Sequence, residues 1–184
     1  MKLDPFYLID SAAWIERLVP LGVKLVQLRI KTMDEAGLRT EIQKAKALCV
    51  EHQCQPIIND FWRLAVEEDC DFIHLGQEDL QAADLTRIRA AGLRLGLSTH
   101  DHLELETALA ARPDYIALGP VYPTILKQMK WAPQELERLG EWRRRIASTP
   151  LVAIGGLNPD RLEGATAALS APAPQTWRDH FAAV

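Results

Sequence analysis

The feature of this sequence that most limits its fold is a regular alternation of short apolar runs with segments of helical spacing. Runs rich in β-branched residues predict strands at residues 6–9, 24–30, 56–58, 72–75, 93–97, 115–118 and 151–154. Between them lie segments with helical spacing, as at Leu38, Ile42, Ala45 and Cys49, or at Leu103, Glu106, Leu109 and Ala110 with polar residues on the opposite face. This alternation predicts parallel strands joined by helical crossovers, because parallel neighbours need a long connection.

Two architectures fit this alternation, an open doubly wound sheet and a closed (β/α)₈ barrel. A barrel distributes its functional residues over the ends of many strands, whereas an open sheet concentrates them at one switch point. Polar or glycine residues lie at or after the end of nearly every predicted strand, within the ranges 27–31, 59–60, 77–79, 98–99, 124–127 and 155–156. The sequence also contains neither GxGxxG after the first strand nor GxxxxGK[ST]. We therefore expect an α/β fold of the TIM-barrel type, with residues 1–184 forming a single domain.

The last quarter of the chain fits a barrel least well. Residues 157–184 would have to supply a helix, an eighth strand and a final helix. Their strand candidate, 167–171, has few β-branched residues, and Pro172 and Pro174 next to it cannot donate to a ladder. We expect the eighth strand/helix unit to be shortened or irregular.

Composition excludes several classes of function. The chain has 21 Lys+Arg against 25 Asp+Glu, so it has no basic surplus with which to bind nucleic acid. It contains no apolar run of the ~20 residues that span a bilayer, and no signal-peptide pattern at its start. Its three cysteines, Cys49, Cys54 and Cys70, fit no CxxC spacing. We expect reduced, packed cysteines in a cytoplasmic protein with no membrane partner.

The run from Gln27 to Lys31 is the sharpest candidate for a binding site. Strand alternation sends Gln27, Arg29 and Lys31 to one face, and Leu28 and Ile30 to the other. Two cations and an amide at the mouth of a barrel would attract a polyanion such as a diphosphate. The alternative is an exposed edge strand with a solvated, charged face.

Two aspartates follow neighbouring predicted strands. Asp60 and Asp79 lie one strand–helix unit apart, so their carboxylates could face each other and bind Mg²⁺. The alternative is that each caps the helix that follows it. His74 lies within a predicted strand, and we interpret it as a hydrogen-bonded structural histidine rather than a catalyst.

Later strand ends carry hydroxyls and glycines. Ser98 and Thr99 could bind phosphate oxygens. The alternative is ordinary turn chemistry. Ser98 is not proposed as a nucleophile, because His100 would need a third group to orient it. Gly156 follows the seventh strand, where barrel phosphate sites form.

Six motifs together resemble the thiamine-phosphate synthase family from about residue 7 to residue 157. They are Gln27-Leu-Arg-Ile-Lys31, Ile58-Asn-Asp60, His74-Leu-Gly-Gln-Glu-Asp79, Gly96-Leu-Ser-Thr-His100, Gly119-Pro-Val-Tyr-Pro-Thr124 and Ala153-Ile-Gly-Gly156. The resemblance implies a (β/α)₈ barrel that uses Mg²⁺ to join hydroxymethylpyrimidine diphosphate to a thiazole phosphate. The products would be thiamine phosphate and diphosphate.

The resemblance also implies roles for individual residues. Pyrimidine-diphosphate contacts would come from Gln27, Leu28, Arg29, Ile30, Lys31 and Asn59, with further contacts on the diphosphate side from Ser98 and Lys127. Asp60 and Asp79 would bind the metal, and Thr124, Gly156 and Ser170 the thiazole phosphate. Arg29, Lys31, Ser98 and Lys127 would be the catalytic set.

Two departures from the family pattern lead us to expect weakened activity. Leu126 stands where a second threonine is usual, and the segment 157–170 is short. One alternative is an impaired or noncatalytic member that binds the pyrimidine diphosphate. Another is a thiazole tautomerase, which would need neither the 27–31 run nor two metal carboxylates. The partners implied are small-molecule substrates, and a homo-oligomer is left open.

Overall fold

The structure is a computed structural model that describes residues 4, 6–123, 131–146, 148–170 and 180–183. The chain divides into two compact units. We call Pro5–Gly96 the N-terminal unit, and Leu97–Val184 with Met1–Asp4 the C-terminal unit.

The N-terminal unit is built from alternating parallel strands and helices. Its strands are β1 (Phe6–Ile9), β2 (Leu25–Leu28), β3 (Gln55–Asn59) and β4 (Phe72–Leu75), and β5 (Arg94–Thr99) spans the unit boundary. Its helices are α1 (Ala13–Leu18), α2 (Glu35–Glu51), α3 (Trp62–Glu67), α4 (Gln77–Ala82) and α5 (Leu85–Ala90), with a 3₁₀ turn at Val19–Leu21. Strand β2 pairs in parallel with β1 on one side and β3 on the other, and β3 pairs with β4.

Helix α2 packs as its sequence predicts. Its buried residues are Leu38, Ile42, Ala45 and Cys49, which follow the predicted apolar spacing. Asp34 caps the helix, accepting a hydrogen bond from the Gly37 N–H at 2.8 Å. The three cysteines are buried and free, in agreement with their interpretation as packing residues.

The C-terminal unit continues the same alternation. It contains α6 (His102–Ala110), β6 (Tyr115–Leu118), α7 (Glu135–Arg145), β7 (Leu151–Ala153), α8 (Pro159–Ser170) and β8 (His180–Ala183). Strand β7 pairs in parallel with β6 and with β8. The fold is therefore α/β with parallel strands, as predicted.

Two details of the prediction for this unit are wrong. Residues 167–170 are not a strand but the last turn of α8, and the strand lies later, at His180–Ala183. Ala165 and Leu169 are both buried and four residues apart, which is helical spacing in an alanine-rich segment. In α6 the buried face is formed by Leu105 and Ala108, whereas Leu103 is 77% exposed.

None of the helices among the described residues combines the length and apolar character needed to cross a bilayer.

Candidate active site

The carboxyl ends of β2, β3 and β4 bring cations and carboxylates together. The register pairs Leu28 with Ile58 and Asn59 with His74, so the residues that follow these strands emerge side by side. The Lys31 Nζ lies 2.6 Å from the Oδ2 of Asp60. Lys31 is 52% exposed and Asp60 only 16%, so the ion pair lies at the border between solvent and the strand ends. This arrangement supplies both charges that binding of a metal–diphosphate would require.

Asp60 adopts a backbone conformation that is uncommon for a residue with a side chain. Its φ is +66°, in the left-handed region that aspartate tolerates better than most residues. Its N–H donates to the His74 carbonyl at 2.9 Å, which ties the end of β3 to β4. Helix α3 begins at Trp62, and its N-cap residue, Phe61, makes no side-chain cap. Asp60 is therefore not the N-cap residue of α3, and its carboxylate pairs with Lys31.

Asp79 lies in the first turn of α4, where Gly76 is the N-cap residue. Its carboxylate accepts from the Gly76 N–H. Asp79 nevertheless lies inside α4 and not before it, so the interpretation of Asp79 as the N-cap residue of the following helix is wrong. Its carboxylate also lies within hydrogen-bonding reach of the Asp60 carboxylate. Burial, followed by the adjacent Asp60, raises the pKa of Asp79, and Lys31 opposes that rise only in part.

The donor set at these strand ends fits Mg²⁺. Two carboxylates in contact repel each other, and a divalent cation between them would relieve that repulsion. Within the described ranges, no cluster of three or more His, Cys, Asp or Glu side chains is placed to hold a metal. Mg²⁺ ordinarily takes one or two carboxylates and completes its shell with water and substrate phosphate, which matches a two-aspartate site.

Strand β2 is an interior strand, which excludes the exposed-edge alternative for residues 27–31. Gln27 is 3% exposed, and its Nε2 has no hydrogen-bond partner among the residues that the structure describes. Buried amides are normally hydrogen-bonded, so this donor is available to a ligand acceptor. Arg29 is half-buried, and its N–H donates to the Ile9 carbonyl at 2.7 Å, extending the ladder beyond β2. Leu28 and Ile30 are buried.

Asn59 and His74 are buried polar residues beside the aspartates. Burial lowers the pKa of His74 to about 4; the Asp60 carboxylate opposes the shift and Arg29 adds to it. His74 is therefore neutral at physiological pH. This agrees with a structural rather than a proton-transferring role.

The end of β5 contains a histidine–glutamate pair that sequence reasoning missed. Ser98 is half-buried, and the Thr99 hydroxyl donates to the Ala117 carbonyl at 2.9 Å. The His100 N–H and Nδ1 both lie 2.7 Å from the Oε2 of Glu104. The His100 ring also stacks on Trp131, with centroids 4.1 Å apart. The four-residue spacing of His100 and Glu104 was the available signal, and Glu104 orients this ring.

The turn after β7 is formed by two glycines with positive φ. Gly155 has φ +84° and Gly156 has φ +69°. A Cβ on Gly156 would lie 2.6 Å from the carbonyl oxygens of Tyr122 and Pro123, so no larger residue fits without moving the backbone. The side chain of Arg161, a second residue that the sequence prediction missed, donates to the Gly156 carbonyl at 2.6 Å.

Three predicted site residues gain no such support from the structure. Thr124 and Lys127, together with Leu126, lie outside the described residues. Ser170 was predicted to lie within an eighth strand at residues 167–171, but it is the last residue of α8. The interpretation of Ser170 as a phosphate ligand at a strand end is therefore wrong in its structural premise.

A family model for thiamine monophosphate synthase matches residues 5–169. This chain belongs to that family. A thiamine-phosphate synthase of Rhizobium etli is 72% identical over 162 residues, covering 88% of this chain and 79% of the relative. A thiamine-phosphate synthase of Escherichia coli O6:H1 is 52% identical over 157 residues, covering 85% of this chain and 74% of the relative.

A solved structure shares the fold. The thiamine phosphate pyrophosphorylase from Pyrococcus furiosus superimposes with a TM-score of 0.81 at 22% identity, covering 98% of this chain and 85% of that one. The predicted family is therefore confirmed by sequence, and the α/β architecture by structure.

Proposed function

We propose that this protein is a thiamine-phosphate synthase, a transferase that joins hydroxymethylpyrimidine diphosphate to thiazole phosphate. Its products are thiamine phosphate and diphosphate. The observation that carries the proposal is the Lys31–Asp60 ion pair with Asp79 in contact, at adjacent strand ends of a family member.

The first substrate binds across β2 and β3. The Gln27 Nε2 donor, buried without a partner among the described residues, supports contact with an acceptor on the pyrimidine. The half-buried Arg29 and the exposed Lys31 bind the diphosphate, Arg29 by its planar fork and Lys31 as a point charge. Asn59 lies beside them and completes the contacts of this substrate.

Asp60 and Asp79 are the residues that would hold Mg²⁺. Bound there, the ion would place positive charge against the departing diphosphate. Lys31 holds the Asp60 carboxylate in position at 2.6 Å and adds its own charge to the same region. Because these groups are fixed before the reaction, they stabilise the charge that develops on the leaving group without reorganising.

The reaction breaks one bond and forms one. The bond between the pyrimidine methylene carbon and the diphosphate oxygen breaks, and its electron pair leaves with the diphosphate. The lone pair of the thiazole nitrogen then forms a carbon–nitrogen bond to the same methylene carbon. No proton moves at the reacting atoms, so no general base is needed, and a neutral His74 is compatible with this chemistry.

The second substrate is assigned to the C-terminal unit. Gly156 contacts the thiazole phosphate through its backbone, and Thr124 contributes a hydroxyl. Ser98 and Lys127 contact the diphosphate side. The cramped, positive-φ turn at Gly155 and Gly156 supports a close approach of ligand to backbone.

We also infer that residues 1–184 form one domain whose strands close into a (β/α)₈ barrel. The strand–helix alternation and the parallel pairing within each unit support closure, as does the likeness to the Pyrococcus furiosus structure over 98% of this chain. Free, buried cysteines support a cytoplasmic location.

A second candidate is an impaired member that binds the pyrimidine diphosphate with little turnover. The position of Ser170 in α8 favours it, because a strand-end phosphate contact is then missing. Calorimetric titration with pyrimidine diphosphate and Mg²⁺, alongside a product assay, separates the two. A synthase binds and forms thiamine phosphate, whereas an impaired member binds and forms none. Absence of binding would contradict both candidates.

A further inference from the structure

We propose that Arg161 is a positioning residue that fixes the Gly155–Gly156 turn in the shape that receives the phosphate of the second substrate. This inference rests on the proposed function and deepens it. Arg161 lies in the first turn of α8, where its N–H bonds to the side-chain oxygen of Asn158 at 3.1 Å and to the Asn158 carbonyl at 3.0 Å. Its backbone is thereby fixed beside the turn.

The Arg161 side chain makes two contacts at once. One guanidinium nitrogen donates to the Gly156 carbonyl at 2.6 Å. The guanidinium carbon lies 4.8 Å from the centroid of the Tyr122 ring, in cation–π geometry. A planar guanidinium can lie over a ring and still direct an N–H at a carbonyl, whereas a lysine ammonium would make these contacts less well.

Main-chain hydrogen bonds from the loop after β6 hold the other carbonyls of the turn. The Val121 N–H donates to Ile154 at 2.9 Å, and the Tyr122 N–H donates to Gly155 at 3.1 Å. Together with the hydrogen bond from Arg161 to Gly156, the carbonyls of three successive residues, 154 to 156, each accept a hydrogen bond. In a trans peptide the N–H points opposite to the C=O. The amide hydrogens of residues 155–157 are therefore turned away from these donors, and such a row of N–H groups can bind an anion.

Tyr122 and Arg161 contact each other and both hold the Gly155–Gly156 turn. The Tyr122 carbonyl lies so close to Gly156 that a Cβ there would approach within 2.6 Å. Its hydroxyl lies against α8, 3.6 Å from where a Cβ of Gly164 would stand. Backbone packing limits the turn from the Tyr122 side. The guanidinium holds the Gly156 carbonyl, which accepts no main-chain hydrogen bond from the described residues of the loop after β6.

The test compares Arg161→Met, which keeps the apolar stem, with Arg161→Lys, which keeps the charge. The expected result for Arg161→Met is a KM for thiazole phosphate raised about tenfold, the scale of one hydrogen bond to a charged group. The KM for pyrimidine diphosphate and kcat stay at wild-type values. Arg161→Lys gives an intermediate KM. Arg138→Met is the matched control, because Arg138 pairs with Glu141 on α7 at 3.4 Å, and it leaves both KM values unchanged.

Calorimetric titration with thiazole phosphate provides a readout independent of turnover, and thermal melting checks that each variant folds. The inference is overturned if folded Arg161→Met keeps wild-type affinity for thiazole phosphate while the wild type forms product. It is equally overturned if both KM values rise together. A wild type that neither binds thiazole phosphate nor forms product overturns the proposed function, and this inference with it.

Discussion

The Lys31 ammonium lies 2.6 Å from the Asp60 carboxylate, which itself contacts the carboxylate of Asp79. A single lysine ammonium therefore faces two carboxyl groups. Because Lys31 is half exposed, solvent screens its charge, and the repulsion between the aspartates is only partly relieved. The two aspartates can therefore accept a divalent cation between them.

The affinity for Mg²⁺ is expected to fall as the pH falls. The pKa of Asp79 is raised by burial and by Asp60, and the protonated carboxyl cannot ligate a metal. Titrating Mg²⁺ calorimetrically from neutral to mildly acidic pH should show the dissociation constant rising. Asp79→Asn should bind Mg²⁺ more weakly and with little pH dependence. Equal pH profiles for the two proteins would remove Asp79 from the metal site.

Arg29→Ala is expected to weaken binding of pyrimidine diphosphate. A charge-assisted hydrogen bond contributes roughly 1.5–3 kcal/mol, so the dissociation constant should rise by about one to two orders of magnitude. Arg17→Ala is the matched control, because Arg17 lies on α1 against Trp14. Unchanged affinity in Arg29→Ala, measured by calorimetry, would exclude Arg29 from the site.

His74 is expected to make the folded state sensitive to acid. Its pKa is about 4 when folded, against an ordinary 6.5, so between these values the unfolded chain binds a proton that the folded chain does not. The contribution of His74 to the free energy of unfolding is therefore highest above pH 6.5, and it is lost as the pH falls to 4. The total loss is about 3 kcal/mol.

Urea unfolding of the wild type and of His74→Gln across this range measures the loss. The wild-type free energy of unfolding should fall more steeply with decreasing pH than that of the variant, which lacks the titrating group. Parallel profiles would show that His74 titrates alike in the folded and unfolded chains.

Gly156→Ala is expected to destabilise the protein more than Gly92→Ala. Both glycines have positive φ, +69° and +75°, so both substitutions incur the roughly 1–2 kcal/mol cost of a left-handed alanine. A Cβ at Gly92 meets no heavy atom within 4 Å, whereas at Gly156 it meets two backbone oxygens at 2.6 Å. Equal unfolding free energies for the two variants would contradict the close packing of this turn.

The sequence predicted the strands better than it predicted the contacts of the site. Strands β1, β4 and β6 have the predicted bounds, because each is a short run rich in apolar residues with an aspartate next to one end and a proline or a glycine next to the other. The face of α6 was misassigned because its apolar residues fit more than one helical phase. Packing selected the face of Leu105 and left Leu103 in solvent.

Residues 167–170 show a second limit of prediction from sequence. Residues 167–170 were predicted as a strand because the barrel pattern required one there, yet alanine favours helix and Leu169 packs in α8. Glu104 was missed although its four-residue spacing from His100 was visible in the sequence. Arg161 was missed because a long side chain finds its partner only once the backbone is in place. The spacing of one strand–helix unit correctly predicted that Asp60 and Asp79 lie close together, because consecutive parallel strands end at the same edge of the sheet.

Leu126→Thr is expected to raise kcat/KM for thiazole phosphate. Leu126 replaces a hydroxyl residue that is usual in the family, so threonine would restore a contact to thiazole phosphate. Steady-state kinetics should show a lower KM for thiazole phosphate. An unchanged KM for thiazole phosphate would indicate that any weak activity is caused by residues 157–170 instead.

The most direct test of the central claim is a product assay on the purified protein with pyrimidine diphosphate, thiazole phosphate and Mg²⁺, with and without a chelator. We predict that thiamine phosphate and diphosphate appear in equal amounts, and that the chelator abolishes both. Folded protein that forms neither product in the presence of Mg²⁺ would contradict the assignment as a synthase.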